Sequence, residues 1–200
     1  MPLLSTRANA SARGYGMFGA AVGGSFSFDS ISTATVGAGG ASTITFSSIP
    51  NTYKHLQIRV ISRDDRSAAV VHQTYRVTYN SDTTANYTTH AMYGQSLSGG
   101  AVVDQYGNAN SSGMDVYSTA PAVASGIFGT QIIDILDYSS TNKYKTQRSL
   151  GGSDNNGTGM IAFMSGLWRS TSAVSTITII PAGSATFQQY SSFALYGIKG

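Results

Sequence analysis

The chain of 200 residues contains no cysteine and no glutamate, and charged residues make up only 10% of it. The missing cysteine excludes disulfides, thiolate metal sites and a cysteine nucleophile. The missing glutamate, together with few lysines and leucines, disfavours surface helices. Charged residues normally form roughly 25% of a soluble domain. Serine and threonine hydroxyls must therefore solvate much of this surface, or other subunits must bury it.

Long apolar runs are also absent. No stretch approaches the roughly 20 apolar residues of a membrane helix, so we expect no membrane insertion. The opening MPLLSTRANASARGYGMFG lacks the apolar core of a signal peptide, because Arg7 and Arg13 interrupt it. We therefore expect a protein that is made in a cytoplasm and stays there until assembly. The net charge of +3 comes without a basic cluster, which argues against a nucleic-acid partner.

Glycine, serine, threonine and β-forming residues are abundant, and they alternate in short segments. In YKHLQIRVISR, Leu56, Ile58 and Val60 point one way and polar residues point the other, as in a half-buried antiparallel strand. Turns rich in Gly, Pro, Asn or Asp separate some eight to ten such segments, which predicts one all-β antiparallel sandwich. A jelly roll is the favoured version, and an immunoglobulin-like sandwich is the alternative. The predicted strands cover 25–35, 42–47, 53–63, 70–80, 87–97, 131–152 (a hairpin), 160–169, 174–180 and 192–199.

The hairpin Gln131–Gly152, QIIDILDYSSTNKYKTQRSLGG, is expected in the middle of the sandwich. Its first strand is apolar on both faces through Ile132, Ile133, Ile135 and Leu136, which is typical of a strand buried between two layers. Polar residues 139–142 supply the turn, and the two glycines at 151 and 152 are expected to end the second strand.

The same hairpin has the highest density of charge. Asp134 and Asp137 could suggest a carboxylate pair for glycoside cleavage. Being three residues apart on a strand, however, they point to opposite faces and cannot share one substrate. We expect instead that Asp134 or Asp137 pairs across the hairpin with Lys143, Lys145 or Arg148.

Residues 1–24 are small, polar and glycine-rich, and alone they cannot bury enough apolar area to offset the entropy of ordering. One interpretation is a disordered leader. The other is an extended N-terminal attachment arm, in which Arg7, Arg13, Tyr15, Met17 and Phe18 are the candidate contact residues and the last three are the anchors. The β-sandwich domain then covers residues 25–200.

Two further segments are candidate contact loops. Gly99–Gly129 is the least periodic region, is broken by Pro121, and predicts a long excursion with short strands; its part up to Phe128 is a candidate for binding a receptor. Ser153–Gly159, SDNNGTG, predicts a turn. The oxygen donors of this turn resemble those of a calcium loop, but they lack the spacing and the closing acid of an EF-hand.

The sequence predicts no catalytic residues, no cofactor and no metal site, and hence no enzyme. His72, His90 and the many serines form no positioned constellation, and no serine lies in a G-x-S-x-G elbow. Trp168 and Arg169 are the candidate glycan contact, since aromatic faces stack on sugars. Core packing is the favoured alternative for Trp168.

Three stretches carry a family resemblance: SFSFDSISTATVGAGGASTITFSSIPNTYKHLQIRV, IIDILDYSSTNKYKTQRSLGG, and SGLWRSTSAVSTITI with the following QYSSFALYGIKG. With the opening MPLLSTRANASARGYGMFG, they resemble small virion structural proteins of tailed bacteriophages. Fibre, appendage and decoration components belong to this group.

The resemblance implies a β-sandwich or jelly-roll body with an N-terminal attachment segment. It also implies a homo-oligomer, expected to be a trimer packed through flat sheet faces, and binding to other virion proteins of the tail, neck or capsid. The implied location is the virion, assembled in the host cytoplasm. A receptor- or glycan-binding module at a fibre tip, contacting host surface glycan, is the alternative function.

Overall fold

A computed structural model describes residues 27–66, 73–97, 100–118 and 125–200. These residues are almost entirely strand and turn, with one short 3₁₀ turn at Ala182–Ser184. The strands in chain order are β1 Phe28–Thr35, β2 Ile44–Phe46, β3 His55–Ser62, β4 Gln73–Tyr79, β5 Tyr87–Leu97, β6 Gly100–Ser111, β7 Met114–Ser118, β8 Gly129–Leu136, β9 Lys145–Asp154, β10 Gly159–Trp168, β11 Ile177–Pro181 and β12 Ser192–Ile198.

The strands form two antiparallel sheets, which confirms the predicted all-β sandwich. The larger sheet has eight strands in the order β1-β12-β3-β8-β9-β10-β5-β6. The smaller sheet has four strands in the order β2-β11-β4-β7. The predicted hairpin supplies β8 and β9, which occupy the middle of the larger sheet as expected.

The pairing pattern is that of a jelly roll. β1 pairs with β12, β2 with β11, β3 with β8 and β4 with β7. The chain is thus one long antiparallel hairpin, whose outgoing strands β1 to β4 pair in reverse order with β7, β8, β11 and β12. Rolled up, this hairpin places alternate pairs in opposite sheets. The jelly roll, and not the immunoglobulin-like alternative, is the observed topology.

Two further hairpins extend the larger sheet. β5–β6 is inserted between β4 and β7, and β9–β10 between β8 and β11, and together they add four strands beyond β8. On their inner face, Ala91, Met160, Ala162 and Met164 pack with Tyr117 in a small second cluster. The larger sheet therefore extends beyond the jelly roll proper and has its own small apolar layer.

The main core lies between the two sheets. Alternate side chains of β3 and β8 face the alternate side chains of β4 and β11, as the period-2 pattern predicts. On these four strands the apolar side chains with no exposed surface are Leu56, Ile58, Tyr75, Val77, Tyr79, Ile133, Ile135, Ile177 and Ile179. Ile44 and Phe46 of β2 are buried on one face, as expected from their spacing.

Two predictions on the strands are corrected. Gly99–Gly129 contains a regular twelve-residue strand, β6, although no alternation marks it. The ladder with β5 pairs β6 along its length, so backbone hydrogen bonds rather than buried side chains define it. The second strand of the central hairpin passes the two glycines and ends at Asp154, because both remain paired to neighbouring strands.

Candidate functional site

A continuous apolar row runs across the outer face of the eight-stranded sheet, the face turned away from the four-stranded sheet. Ile132 on β8 lies opposite Leu150 on β9, which lies opposite Phe163 on β10, which lies opposite Met92 on β5. Residues directly opposite each other in antiparallel strands share a face. These four side chains are between 45% and 60% exposed, so the row is open to solvent.

A second row lies two residues further along each strand, on the same face, and widens the first row. It contains Ile61 on β3, Ile161 on β10 and Val103 on β6, connected in register through Thr130, Gly152 and Gly94. Ile161 is 63% exposed and Val103 81%. We call the seven side chains of both rows the outer band: Ile61, Met92, Val103, Ile132, Leu150, Ile161 and Phe163.

The outer band corrects the expectation that β8 is buried between two layers. Ile133 and Ile135 face the core, but Ile132 is 45% exposed, because no described element covers that side of the sheet. β10 shows the same arrangement: Met160, Ala162 and Met164 point inward, while Ile161 and Phe163 point outward. Strands that are apolar on both faces were the sequence signal for this surface.

A network of hydrogen-bonded polar groups lies beside the outer band. Gln57 Nε2 donates to Asp134 Oδ1 at 2.8 Å, and Arg148 Nε donates to Asp134 Oδ2 at 3.0 Å. Arg59 Nε donates to Gln57 Oε1 at 3.0 Å. The Arg59 guanidinium also lies 5.0 Å from the ring centre of Tyr196. The charges on this face are thus held by neighbours on the same face.

The predicted pairing of charges across the hairpin is confirmed for both aspartates. Asp134 and Arg148 are direct register partners. Asp137 follows the end of β8 and binds Lys143 at 2.5 Å and Lys54 at 2.9 Å. Hydrogen bonds from these two lysines lower the pKa of Asp137 to about 2. Each carboxylate therefore has its own cationic partner.

Lys145 behaves differently from the expectation. It is fully buried and does not pair with either aspartate; its Nζ donates to the carbonyls of Lys143 and Thr171 at 2.7 and 3.2 Å. Burial lowers its pKa, because desolvation penalises the charged form. Its role here is to join two loops.

Trp168 is placed in the core rather than on a sugar-binding surface. It is 2% exposed, its ring stacks on Tyr87 and meets Tyr79 edge-on, and its Nε1 donates to Asp82 Oδ2 at 2.7 Å. Its ring face is unavailable to a glycan, so the core-packing alternative holds. Arg169 is exposed and donates to the carbonyl of Ala85 and, at 2.7 Å, to Asn110 Oδ1.

Two shallow grooves are formed in part by side chains of the outer band itself. One, of about 770 Å³, lies between Arg59, Phe128 and Leu150. The other, of about 550 Å³, lies between Val102 and Val103 of β6 and the turn 153–159. In that turn Asn156 and Gly157 have positive φ values, as its composition predicts. The second groove thus brings together parts of the two segments predicted as contact loops.

The remaining candidates fall on parts of the chain that the structure does not describe. Arg7, Arg13, Tyr15, Met17 and Phe18, the boundary at 24/25, His72 and Pro121 lie outside the described residues. Across the described ranges, no three side chains that bind metals are grouped to hold an ion. The same residues include no helix with the length and apolar character of a membrane span.

Comparison with protein-family models, with curated proteins and with solved structures gives no match to this chain. The outer band, its polar border and its two grooves therefore have to be interpreted from their own chemistry. The band is mainly aliphatic, with Phe163 as its aromatic member. Sugars stack on broad aromatic faces, whereas Met, aliphatic and aromatic groups within a polar rim are typical of protein interfaces.

Proposed function

We propose that this chain is a structural protein of a tailed-phage virion, a fibre, appendage or decoration component. Residues 1–24 attach it to another virion protein of the tail, neck or capsid, and the jelly-roll body assembles with copies of itself. It is assembled in the host cytoplasm and resides in the virion.

The observation that carries the proposal is the outer band. A patch this large on a sheet face is the mark of a surface made for another protein. The low charge of the chain agrees with a molecule whose surface is partly buried in an assembly. The virion location comes from the family resemblance. The jelly-roll body agrees with what that resemblance implies.

The location is tested on purified particles of the phage that encodes the chain. Mass spectrometry of density-banded particles should detect the protein at a constant ratio to the major capsid protein. A protein that is abundant in the lysate but missing from the banded particles would refute a virion role.

The arm is tested by complementation in trans. Exchanging the anchors Tyr15, Met17 and Phe18 together for serine should leave a folded protein that no longer enters particles, because buried aromatic and Met anchors dominate such contacts. Exchanging Leu3 and Leu4 for serine is the matched control within the same segment. Normal incorporation of the triple variant would show that attachment uses another part of the chain.

A glycan-binding role at a fibre tip is the second candidate. Its support is the 550 Å³ groove, where part of Gly99–Phe128 meets the turn 153–159 and where Asp154 offers a carboxylate. A glycan array probed with the intact protein should then show binding that Asp154→Ala removes. Asp104→Ala, outside that groove, is the control. An array without any binding signal would refute the glycan-binding role and leave the architectural role as the remaining candidate.

A further inference from the structure

The outer band has the area of one half of a stable interface. Its seven side chains are 45–81% exposed; at roughly 200 Å² for a fully exposed side chain of this size, they leave on the order of 800 Å² uncovered. The largest apolar patch of a typical monomer is about 300–600 Å². A standard interface needs about 800 Å² from each partner.

We propose that the outer band is covered by the same band of a second copy of this chain, so that two eight-stranded sheets pack face to face about a two-fold axis. The inference rests on the assembly role proposed above and names its surface and its symmetry. Stacked sheets pack about 10 Å apart with interdigitating side chains.

The surface shape of the outer band is complementary to itself, so it suits a second copy of the same band. Ile161 stands between Gly152 and Gly94, its direct neighbours on the two adjoining strands. An added Cβ at Gly94 would have one neighbour within 4 Å, the Ile161 Cγ2 atom at 4.0 Å. Ile161 thus protrudes from the sheet beside a depression at Gly94, where no side chain fills the surface. In a two-fold pair, Ile161 of each copy can fit into the depression at Gly94 of the other copy.

The charges beside the band allow two identical faces to meet. Asp134 accepts hydrogen bonds from Gln57 and Arg148 on its own face. Arg59 lies over the rings of Phe28 and Tyr196, at 5.6 and 5.0 Å. This face carries both positive and negative groups, and each is already paired with a neighbour on the same copy. Two identical faces therefore do not repel each other electrostatically.

The distribution of exposed apolar side chains favours a pair over a ring. A ring of three copies needs two different complementary patches on each copy, whereas a two-fold pair needs one self-complementary patch. Of the twelve large apolar side chains exposed in the described part of the chain, seven form the outer band. The others, Phe28, Val102, Tyr144, Ile180 and Tyr190, form no second row of that length in those residues.

The first experiment measures mass and affinity with the full-length chain. Light scattering after gel filtration should give twice the chain mass of 20.9 kDa. Ile161→Asp should raise the dissociation constant about 100-fold or more, since a central apolar contact becomes a buried charge. Gly94→Lys should do the same by filling the depression. Ile180→Asp, on the four-stranded sheet, is the matched control and should leave the dimer intact.

The second experiment reports directly on the band. The chain has no natural cysteine, so Met92→Cys introduces a unique thiol at the β5 end of the first row. Its reaction with a maleimide should be slow in the dimer and should speed up on dilution into monomer. In the Met92→Cys, Ile161→Asp double variant, the reaction should be fast at every concentration.

The other occupants give different results. A monomer with a slow thiol would mean that another segment of the same chain covers the band, and a monomer with a fast thiol would mean that nothing does; either result overturns the inference. An oligomer unaffected by Ile161→Asp and Gly94→Lys, or a trimer, would also overturn it. The last two outcomes leave the virion role intact, since they show assembly through a different surface.

Discussion

Two tyrosines on β4 have opposite hydrogen-bonding states in the same core. Tyr79 Oη donates to Gln147 Oε1 at 2.8 Å. Tyr75 Oη has no hydrogen-bond partner among the described residues, although the side chain is fully buried. Burial raises the pKa of both phenols, so both remain neutral at any ordinary pH.

Removing the two hydroxyls should therefore have opposite effects. Tyr79→Phe leaves Gln147 Oε1 buried without its donor and should lower the free energy of unfolding by about 1–3 kcal/mol. Tyr75→Phe removes a polar group that lacks a partner and should leave stability unchanged or raise it by up to about 1 kcal/mol. Urea unfolding of both variants measures the difference. A loss above about 1 kcal/mol in Tyr75→Phe would show that its hydroxyl is satisfied after all.

Asp82 couples stability to pH. Oδ1 accepts from the Thr84 backbone at 2.9 Å, while Oδ2 accepts from Asn86 at 3.1 Å and from Trp168 at 2.7 Å. Burial opposes its ionisation, but these donors together lower its pKa to about 2. An unfolded aspartate has a pKa of about 3.9. Asp82 therefore contributes stability above about pH 4, and that contribution is lost as the pH falls towards 2.

The variant Asp82→Asn isolates this contribution. Its amide cannot accept the same set of hydrogen bonds, so we expect a loss of about 1–3 kcal/mol at pH 6. The difference from the parent should shrink as the pH falls from 4 to 2, because the parent carboxylate is then protonated. Urea unfolding at several pH values measures both curves. A difference that stays constant with pH would assign the loss to packing rather than to charge.

Among the strand elements, β9 and β10 approach each other closely at Gly152. A Cβ built on Gly152 would lie 2.1 Å from the Met160 carbonyl oxygen, whereas one on Gly37 meets no atom within 4 Å. Gly152→Ala should therefore force the two strands apart and cost about 2 kcal/mol or more. Gly37→Ala, away from the outer band, should be neutral or stabilising, because alanine restricts the unfolded chain. Thermal unfolding compares the two; equal effects would contradict the close approach.

The strands were predictable where apolar residues and turn residues form a short-range pattern. β3 and β5 were predicted to within two residues, because alternation and turn residues act locally. β6 is not predicted as a regular strand, because it lies at the sheet edge, where its largely exposed side chains need no alternation. The predicted end of the second hairpin strand, at Gly152, lies two residues before the observed end at Asp154. Two consecutive glycines indicate a turn by composition, but here both are paired in the sheet.

Contacts between distant residues were beyond the sequence pattern. Trp168 and Asp82 are 86 positions apart and meet through the fold, so the indole was open to both a glycan and a core interpretation. The candidate site shows the same difficulty. Apolar residues on both faces of β8 and β10 are visible in the sequence, but whether another element or another subunit covers the outer face depends on tertiary and quaternary packing, which the strand pattern does not encode.

At the scale of the whole molecule, stability should depend on concentration. If pairing through the outer band accompanies folding, dilution shifts the equilibrium towards the unfolded chain. The melting temperature should then rise by roughly 2–4 °C for each tenfold increase in protein concentration. Ile161→Asp should abolish this dependence and Ile180→Asp should keep it. Calorimetry over a hundredfold range measures it, and a constant melting temperature in the parent chain would contradict pairing.

The position of β12 sets the timing of folding during synthesis. β12 lies between β1 and β3 and pairs with both, yet it is translated about 130 residues after β3 ends. At roughly 5–20 residues per second, the nascent β1 and β3 wait on the order of 10 seconds or more for the strand that joins them. During that wait their ladder edges stay unpaired on the ribosome, so we expect the growing chain to depend on chaperones that hold emerging strands apart.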